Sequence, residues 1–394
     1  MARILWSFTS QRGSIEPALP IVAELLACGH DVIGLTASPS ACPMPWKLEV
    51  LADRFLPPLA SVPGLGAGPA QDIDQALAGK TFLAAWHLAE VQFLIKERAI
   101  DVVLADGFRL GAGLAAEKSG IPWVAYTHHF FDESGISEGM VEYYCQRFGL
   151  ATETVEIFSS WWPRLREELD MPLATPSDGD LCWWNLSPVA TLVLGLPELM
   201  RTAEQTPGYV HRVGPAIWSP PDGRAPAWVP SLDAGRRTVL ISLSTGAVED
   251  LEVAVATDGL VEDFNVIVTA GGKALPSALP AGLIVAGDYP HSQLLPRVDA
   301  VVCSGGHGIV TRCACLGIPV VAIPRMGDQF RVADAAAAHG LGIRLDRDVM
   351  DPARLQGAVT EALGQDPSAR LRMAHAATAY DAPRRAADVV GELV

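Results

Sequence analysis

The sequence predicts an α/β protein of two parallel-sheet domains, and three observations carry that expectation. Short runs rich in Val, Ile and Leu alternate with helical segments, the pattern of parallel sheets covered on both faces. The chain has 394 residues, 49% of them hydrophobic, which is too long for one typical core and ample for two. Between the halves, residues 206–236 are rich in proline and lose all periodicity, as a linker does. The domains are therefore read as residues 1–205 and 237–380, with residues 381–394 as a final helix.

In the first half, strands are predicted at residues 4–8, 31–36, 102–105 and 123–127. Leu19, Val22, Leu25 and Leu26 recur at helical spacing over residues 17–28, and Gly29 stops that helix. Residues 4–36 thus form a βαβ unit whose first loop opens at the carboxyl ends of the strands, where open α/β sheets bind ligands. Residues 133–171 read as a helical insertion containing Tyr143, Tyr144, Phe158, Trp161 and Trp162, followed by Trp183 and Trp184. Those aromatics serve either as packing or as a wall for a flat apolar ligand. In the second half, strands are predicted at residues 239–243, 266–269, 283–286, 300–303 and 320–323, interleaved with helices.

The bulk composition excludes several partners. With 45 acidic and 29 basic residues the formal charge is −16, and no long basic run exists, so nucleic acid and anionic membrane are not expected partners. No apolar stretch is long enough for a bilayer span or for a secretion signal, and a cytoplasmic protein is expected. Seven cysteines, mostly within apolar segments, read as free buried thiols, and no Cys-x-x-Cys pair suggests zinc.

The most informative stretch is residues 301–329: a buried strand, a glycine-rich turn, a helix start, another strand, then Asp328-Gln329 opening a further helix. A helix N-terminus offers unpaired N–H groups and partial positive charge, and Gly305, Gly306 and Gly308 let a phosphate approach them. Asp328 and Gln329 accept from and donate to hydroxyls, which a sugar supplies.

The block Ser304-Gly305-Gly306-His307-Gly308, with Gly317-Ile318-Pro319, Pro324 and Asp328-Gln329, resembles the donor signature of GT-B glycosyltransferases. The likeness is to the actinobacterial enzymes that decorate antibiotics and other natural products. It extends to the first loop, Ser10-Gln11-Arg12-Gly13-Ser14-Ile15-Glu16-Pro17, and to Val213-Gly214-Pro215. It implies a GT-B architecture, two Rossmann-like domains facing each other across a cleft, with the final helix packing back on the first domain. It also implies an inverting transfer from a nucleoside diphosphate sugar, as substrate, to a small natural-product acceptor, without metal or other cofactor. The donor residues so implied are Ser244, Thr245, Tyr289, Ser304, Gly305, Gly306, His307, Gly308, Asp328 and Gln329, and the acceptor residues Arg12, Gly13 and Ser14. The resemblance leaves monomer or homodimer open.

Departures from the pattern are part of the reading. Ser304 stands where the family usually has His, Ile309 where Ser or Thr touches phosphate, Arg312 where a glutamate often binds ribose, and Val332 where an asparagine stands. Arg312 cannot accept from a hydroxyl but can attract phosphate. Ser14 occupies the place of the catalytic base, and a serine at ordinary pKa is a very poor base. Asp106 matches the base's partner carboxylate. The substitute is left open among Asp328, His128, His129 and Glu16, or an acceptor reactive enough to need no base. Two further readings are a catalytically weakened homologue that acts as a sugar-nucleotide-binding auxiliary partner, and a sugar-nucleotide epimerase. Both rest on the same scaffold.

Overall fold

The computed structural model describes residues 1–9, 12–37, 44, 47–53, 73–107, 109–127, 165–171, 186–200, 208–219, 232–242, 259–270, 279–287, 290–325, 328–346 and 351–394, excluding the side chains of 12, 73–83 and 328. The chain divides into two compact units: Met1–Gly195 with Thr202–Ile217 and Asp381–Val394, and Leu196–Arg201 with Trp218–Tyr380.

Unit 1 is built on a parallel sheet in the order β3-β2-β1-β4-β5-β6-β7. Its strands are β1 (Arg3–Ser7), β2 (Asp31–Thr36), β3 (Glu49–Ala52), β4 (Val102–Asp106), β5 (Trp123–Thr127), β6 (Ala190–Val193) and β7 (Val210–Arg212). The central strands β4 and β5 are buried along their whole length, as expected for a sheet covered on both faces. β7 lies inside the stretch read from sequence as linker; its three residues pair in parallel with β6 and extend the sheet.

Helices α1 (Arg12–Ile15), α2 (Leu19–Ala27), α3 (Ile73–Glu97) and α4 (Leu110–Ser119) connect these strands. The α2 helix ends as Gly29 takes φ +84°, with the His30 and Gly29 amides bonded to the carbonyls of Leu25 and Leu26. Close packing of α3 on α4 needs Gly111, because a methyl there would stand 2.4 Å from the Ala84 carbonyl oxygen. The last helix, α9 (Ala382–Gly391), belongs to unit 1 and packs on α2 through Ala382, Ala386, Ala387 and Val390. Asp381 caps it by accepting from the Arg384 amide at 3.2 Å.

Unit 2 is built on a second parallel sheet, in the order β10-β9-β8-β11-β12-β13. The strands are β8 (Thr238–Ser242), β9 (Asn265–Thr269), β10 (Leu283–Gly287), β11 (Ala300–Cys303), β12 (Val320–Ala322) and β13 (Gly342–Arg344). Around it lie α5 (His307–Leu316), α6 (Asp328–Ala338), α7 (Pro352–Gly364) and α8 (Ser368–Ala377). One core face joins Val239, Ile241, Val266, Val268 and Val302 to Leu355 and Val359 of α7. Burying each such side chain stabilises the unit by about 1.5–3 kcal/mol before the entropy of ordering is subtracted.

In each sheet the strand order reverses once, between β1 and β4 in unit 1 and between β8 and β11 in unit 2. Loops leaving the two strands beside a reversal run to opposite sides and leave a crevice at their carboxyl ends. The first loop and Asp106 stand at the reversal in unit 1; Ser242 and the glycine turn stand at the reversal in unit 2.

Candidate functional site

In unit 2, the pairing of Cys303 with Ser242 places the ends of β11 and β8 side by side. The chain leaves β11 through Ser304, half-buried, and turns at Gly305 with φ +77°. That left-handed conformation favours glycine, and a methyl there would lie 3.0 Å from the Gln329 carbonyl oxygen. Gly306 follows in an extended conformation as N-cap, and α5 begins at His307. No side chain caps α5 among the described residues, so its first amides carry the helix's positive end toward the crevice.

His307 is buried, with Nδ1 3.5 Å from the Thr311 hydroxyl one turn along α5. The α5 helix ends at Gly317 in the left-handed conformation, as the Gly317-Ile318-Pro319 sequence predicts. Asp328 is the first residue of α6. Gln329 accepts at Oε1 from the Arg325 amide at 3.0 Å. Because an N–H can pair only with the carbonyl oxygen of the side chain, this bond leaves the Gln329 NH2 as the outward-directed donor.

Arg312 Nη1 donates to the Trp218 carbonyl at 2.9 Å, tying α5 to the residue that opens the longer segment of unit 2. Sequence reasoning missed a second polar group at the same rim: His291 Nε2 lies 3.3 Å from Ser242 Oγ and 3.2 Å from Thr269 Oγ1. The sequence signal was a histidine following Pro290, two residues after Tyr289. Cys313 and Cys315 lie within α5 as free thiols, and Cys303 ends β11. Burial pushes the Cys315 thiol up to about 12 and Cys313 well above its ordinary range, so both stay protonated.

In unit 1, Ser14 is buried within α1, and Asp106 is buried at the end of β4. The Thr9 hydroxyl donates to Asp106 Oδ2 at 3.1 Å. Tyr126 stands beside it, its hydroxyl accepting from Trp6 Nε1 at 3.2 Å; burial first, and then the Asp106 charge, hold this phenol well above its usual pKa. Gly13 is in α1 with open space where a side chain would be. Arg12 begins α1, and its side chain lies outside the described residues, as do His128, His129, Ser244, Thr245, Tyr289 and the aromatic insertion.

Comparison with known proteins agrees with this arrangement. Residues 255–394 match the family model of the erythromycin biosynthesis protein CIII-like C-terminal domain. Over the full length of both chains, the protein is 27% identical to 4'-demethylrebeccamycin synthase of Lentzea aerocolonigenes. The structure of CalG4, the calicheamicin glycosyltransferase, superposes with a TM-score of 0.78 at 20% identity, covering 100% of this chain and 98% of that one. The chain has the GT-B fold. Among solved GT-B structures similar to it is the spinosyn rhamnosyltransferase SpnG complexed with thymidine diphosphate, at a TM-score of 0.69 and 21% identity, covering 100% of both chains. Among the described residues, no helix is long and apolar enough to cross a membrane.

Proposed function

We propose that this protein is a glycosyltransferase that moves a sugar from a nucleoside diphosphate to a small natural-product acceptor in a single displacement that inverts the anomeric centre. The observation that carries the reading is the glycine turn at the strand-order reversal of unit 2, which opens directly onto the N-terminus of α5. The diphosphate lies over the amides of His307 and Gly308, and the helix end offsets the charge that grows on it as the glycosidic bond breaks. Asp328 and the Gln329 NH2 grip the sugar hydroxyls. The relatives named above, a rebeccamycin-type synthase and an antibiotic glycosyltransferase, support a secondary-metabolite acceptor.

On the acceptor side, Ser14 is an alcohol and takes no proton at neutral pH. We assign that task to the Asp106 carboxylate, oriented by the Thr9 hydroxyl, with Arg12, Gly13 and Ser14 bordering the acceptor. Holding the acceptor oxygen near both carboxylate and anomeric carbon makes the step effectively unimolecular. The free thiols of Cys28, Cys313 and Cys315 support a reducing, cytoplasmic setting.

Ser14 also supports a second reading, in which the protein binds a sugar nucleotide as the auxiliary partner of another transferase. Calorimetric titration with thymidine diphosphate, together with turnover of its sugar conjugates, separates the two. Affinity with release of nucleoside diphosphate supports the enzyme; affinity without turnover supports the auxiliary; absence of affinity for any nucleoside diphosphate contradicts both.

A further inference from the structure

Unit 1 contains a buried polar chain that the mechanism above does not use. Arg109 Nη2 lies 2.9 Å from both carboxylate oxygens of Asp53, whose side chain is only 1% exposed. Arg109 Nε donates to Ser7 Oγ at 3.0 Å, and Ser7 Oγ lies 3.2 Å from His87 Nε2. A guanidinium has only donors, so Ser7 accepts from it and turns its own hydrogen toward His87, whose Nε2 is then the acceptor. Four separate pieces of chain are tied in this way: the end of β1, the residue after β3, the middle of α3, and the N-cap of α4.

A buried ion pair adds little stability over a well-packed apolar replacement, but it fixes geometry tightly. What it fixes here adjoins Asp106. The Arg109 amide donates to the Asp106 carbonyl at 2.7 Å, and Ser7 is two residues before Thr9, which holds the Asp106 carboxylate. One residue therefore grips the Asp106 turn with its main chain and the root of the first loop with its side chain.

We infer that Arg109 is a positioning residue for the transfer reaction: through Ser7 and Asp53 it locks the root of the first loop against the Asp106 turn and so sets the place of the Asp106 carboxylate. The inference rests on the reading of Asp106 as the acceptor-side carboxylate. Ser7→Ala removes the link while keeping the Arg109–Asp53 pair, and Arg109→Lys keeps the charge but loses the fork.

Both variants are compared with the wild type in hydrogen exchange, in thymidine diphosphate titration, and in transfer from a thymidine diphosphate sugar to 4-methylumbelliferone. In each variant, the amides of residues 13–16 and 18 exchange about tenfold faster while strands β4 and β5 keep their protection. The kcat for transfer falls about 10- to 100-fold, with KM for the nucleotide sugar and affinity for thymidine diphosphate unchanged. Unchanged exchange at residues 13–16 and 18 in both variants, or loss of protection across the whole sheet in Ser7→Ala, overturns the inference. If the wild type binds no thymidine diphosphate, the donor reading fails and the exchange comparison still decides the positioning role.

Discussion

Alanine substitutions along the glycine turn separate what the turn does for the fold from what it does for a ligand. At Gly305, φ is +77° and the added methyl lies 3.0 Å from the Gln329 carbonyl oxygen, a backbone atom that cannot swing aside. The left-handed conformation costs a non-glycine residue about 1–2 kcal/mol, and the crowding adds about 1–3 kcal/mol. For a unit of this size the melting transition falls by about 2–4 °C per kcal/mol, so Gly305→Ala lowers it by about 4–20 °C.

Gly306 and Gly308 have nothing within 4 Å of an added methyl. Gly308→Ala sits inside α5 and stabilises it by about 0.8–1 kcal/mol through helix propensity. Gly306→Ala costs about 0.5–1 kcal/mol as a poorer N-cap. Each of these methyls nevertheless occupies space through which a phosphate must approach the amides, and affinity for thymidine diphosphate falls at least about tenfold, or about 1.4 kcal/mol. Thermal unfolding without ligand and calorimetric titration with it read the two effects independently. Binding within twofold of wild type in both Gly306→Ala and Gly308→Ala would refute the cradle, whatever happens to stability.

Further outcomes follow from the same geometry. Asp328→Ala removes turnover and leaves nucleoside diphosphate affinity nearly intact, because this carboxylate is assigned to the sugar and not to the phosphates; preserved turnover contradicts the assignment. Excess EDTA leaves turnover unchanged, since the end of α5 is assigned the role of stabilising the leaving group; loss restored by magnesium contradicts that. His87 is held well below 6.5, first by burial and then by the Arg109 charge. The unfolded imidazole therefore takes up a proton as pH falls through 6.5 while the folded one does not. Its contribution to stability is complete above that pH and declines below it by up to about 1.4 kcal/mol per pH unit. Urea unfolding at pH 7.5 and 5.5 measures this, and His87→Gln flattens the difference; an equal slope in the variant contradicts the assignment to His87.

The sequence announced the interior of both sheets and the ends of their central strands. Residues 31–36, 123–127 and 300–303 were expected as strands and form β2, β5 and β11 with those bounds. Such strands are buried on both faces over nearly their whole length, so they appear as short runs dominated by apolar residues. The strands that escaped are short: β3, β6, β7 and β13 have three or four residues each. Val210-His211-Arg212 and Gly342-Ile343-Arg344 carry too few apolar residues to show a period, and pairing with a neighbouring strand is what makes them strands.

The glycine turn was legible because glycines and a helix start are local. The protein partner of Arg312 was not, for the complementary reason: the Trp218 carbonyl is 94 residues away. Likewise Ser7, Asp53, His87 and Arg109 are scattered over a strand end, two loops and a helix, and only the fold brings them together. The available signals were polar residues in apolar surroundings, Ser7 ending β1 and His87 within α3. Such signals mark a buried partner without naming it.

The central claim is that amides at the start of α5 hold a nucleoside diphosphate. A crystal structure with thymidine diphosphate tests it most directly. The account predicts diphosphate oxygens within hydrogen-bonding distance of the His307 and Gly308 amides, beside the Gly305 turn. Diphosphate density elsewhere in the molecule, with those amides facing only water, would contradict it.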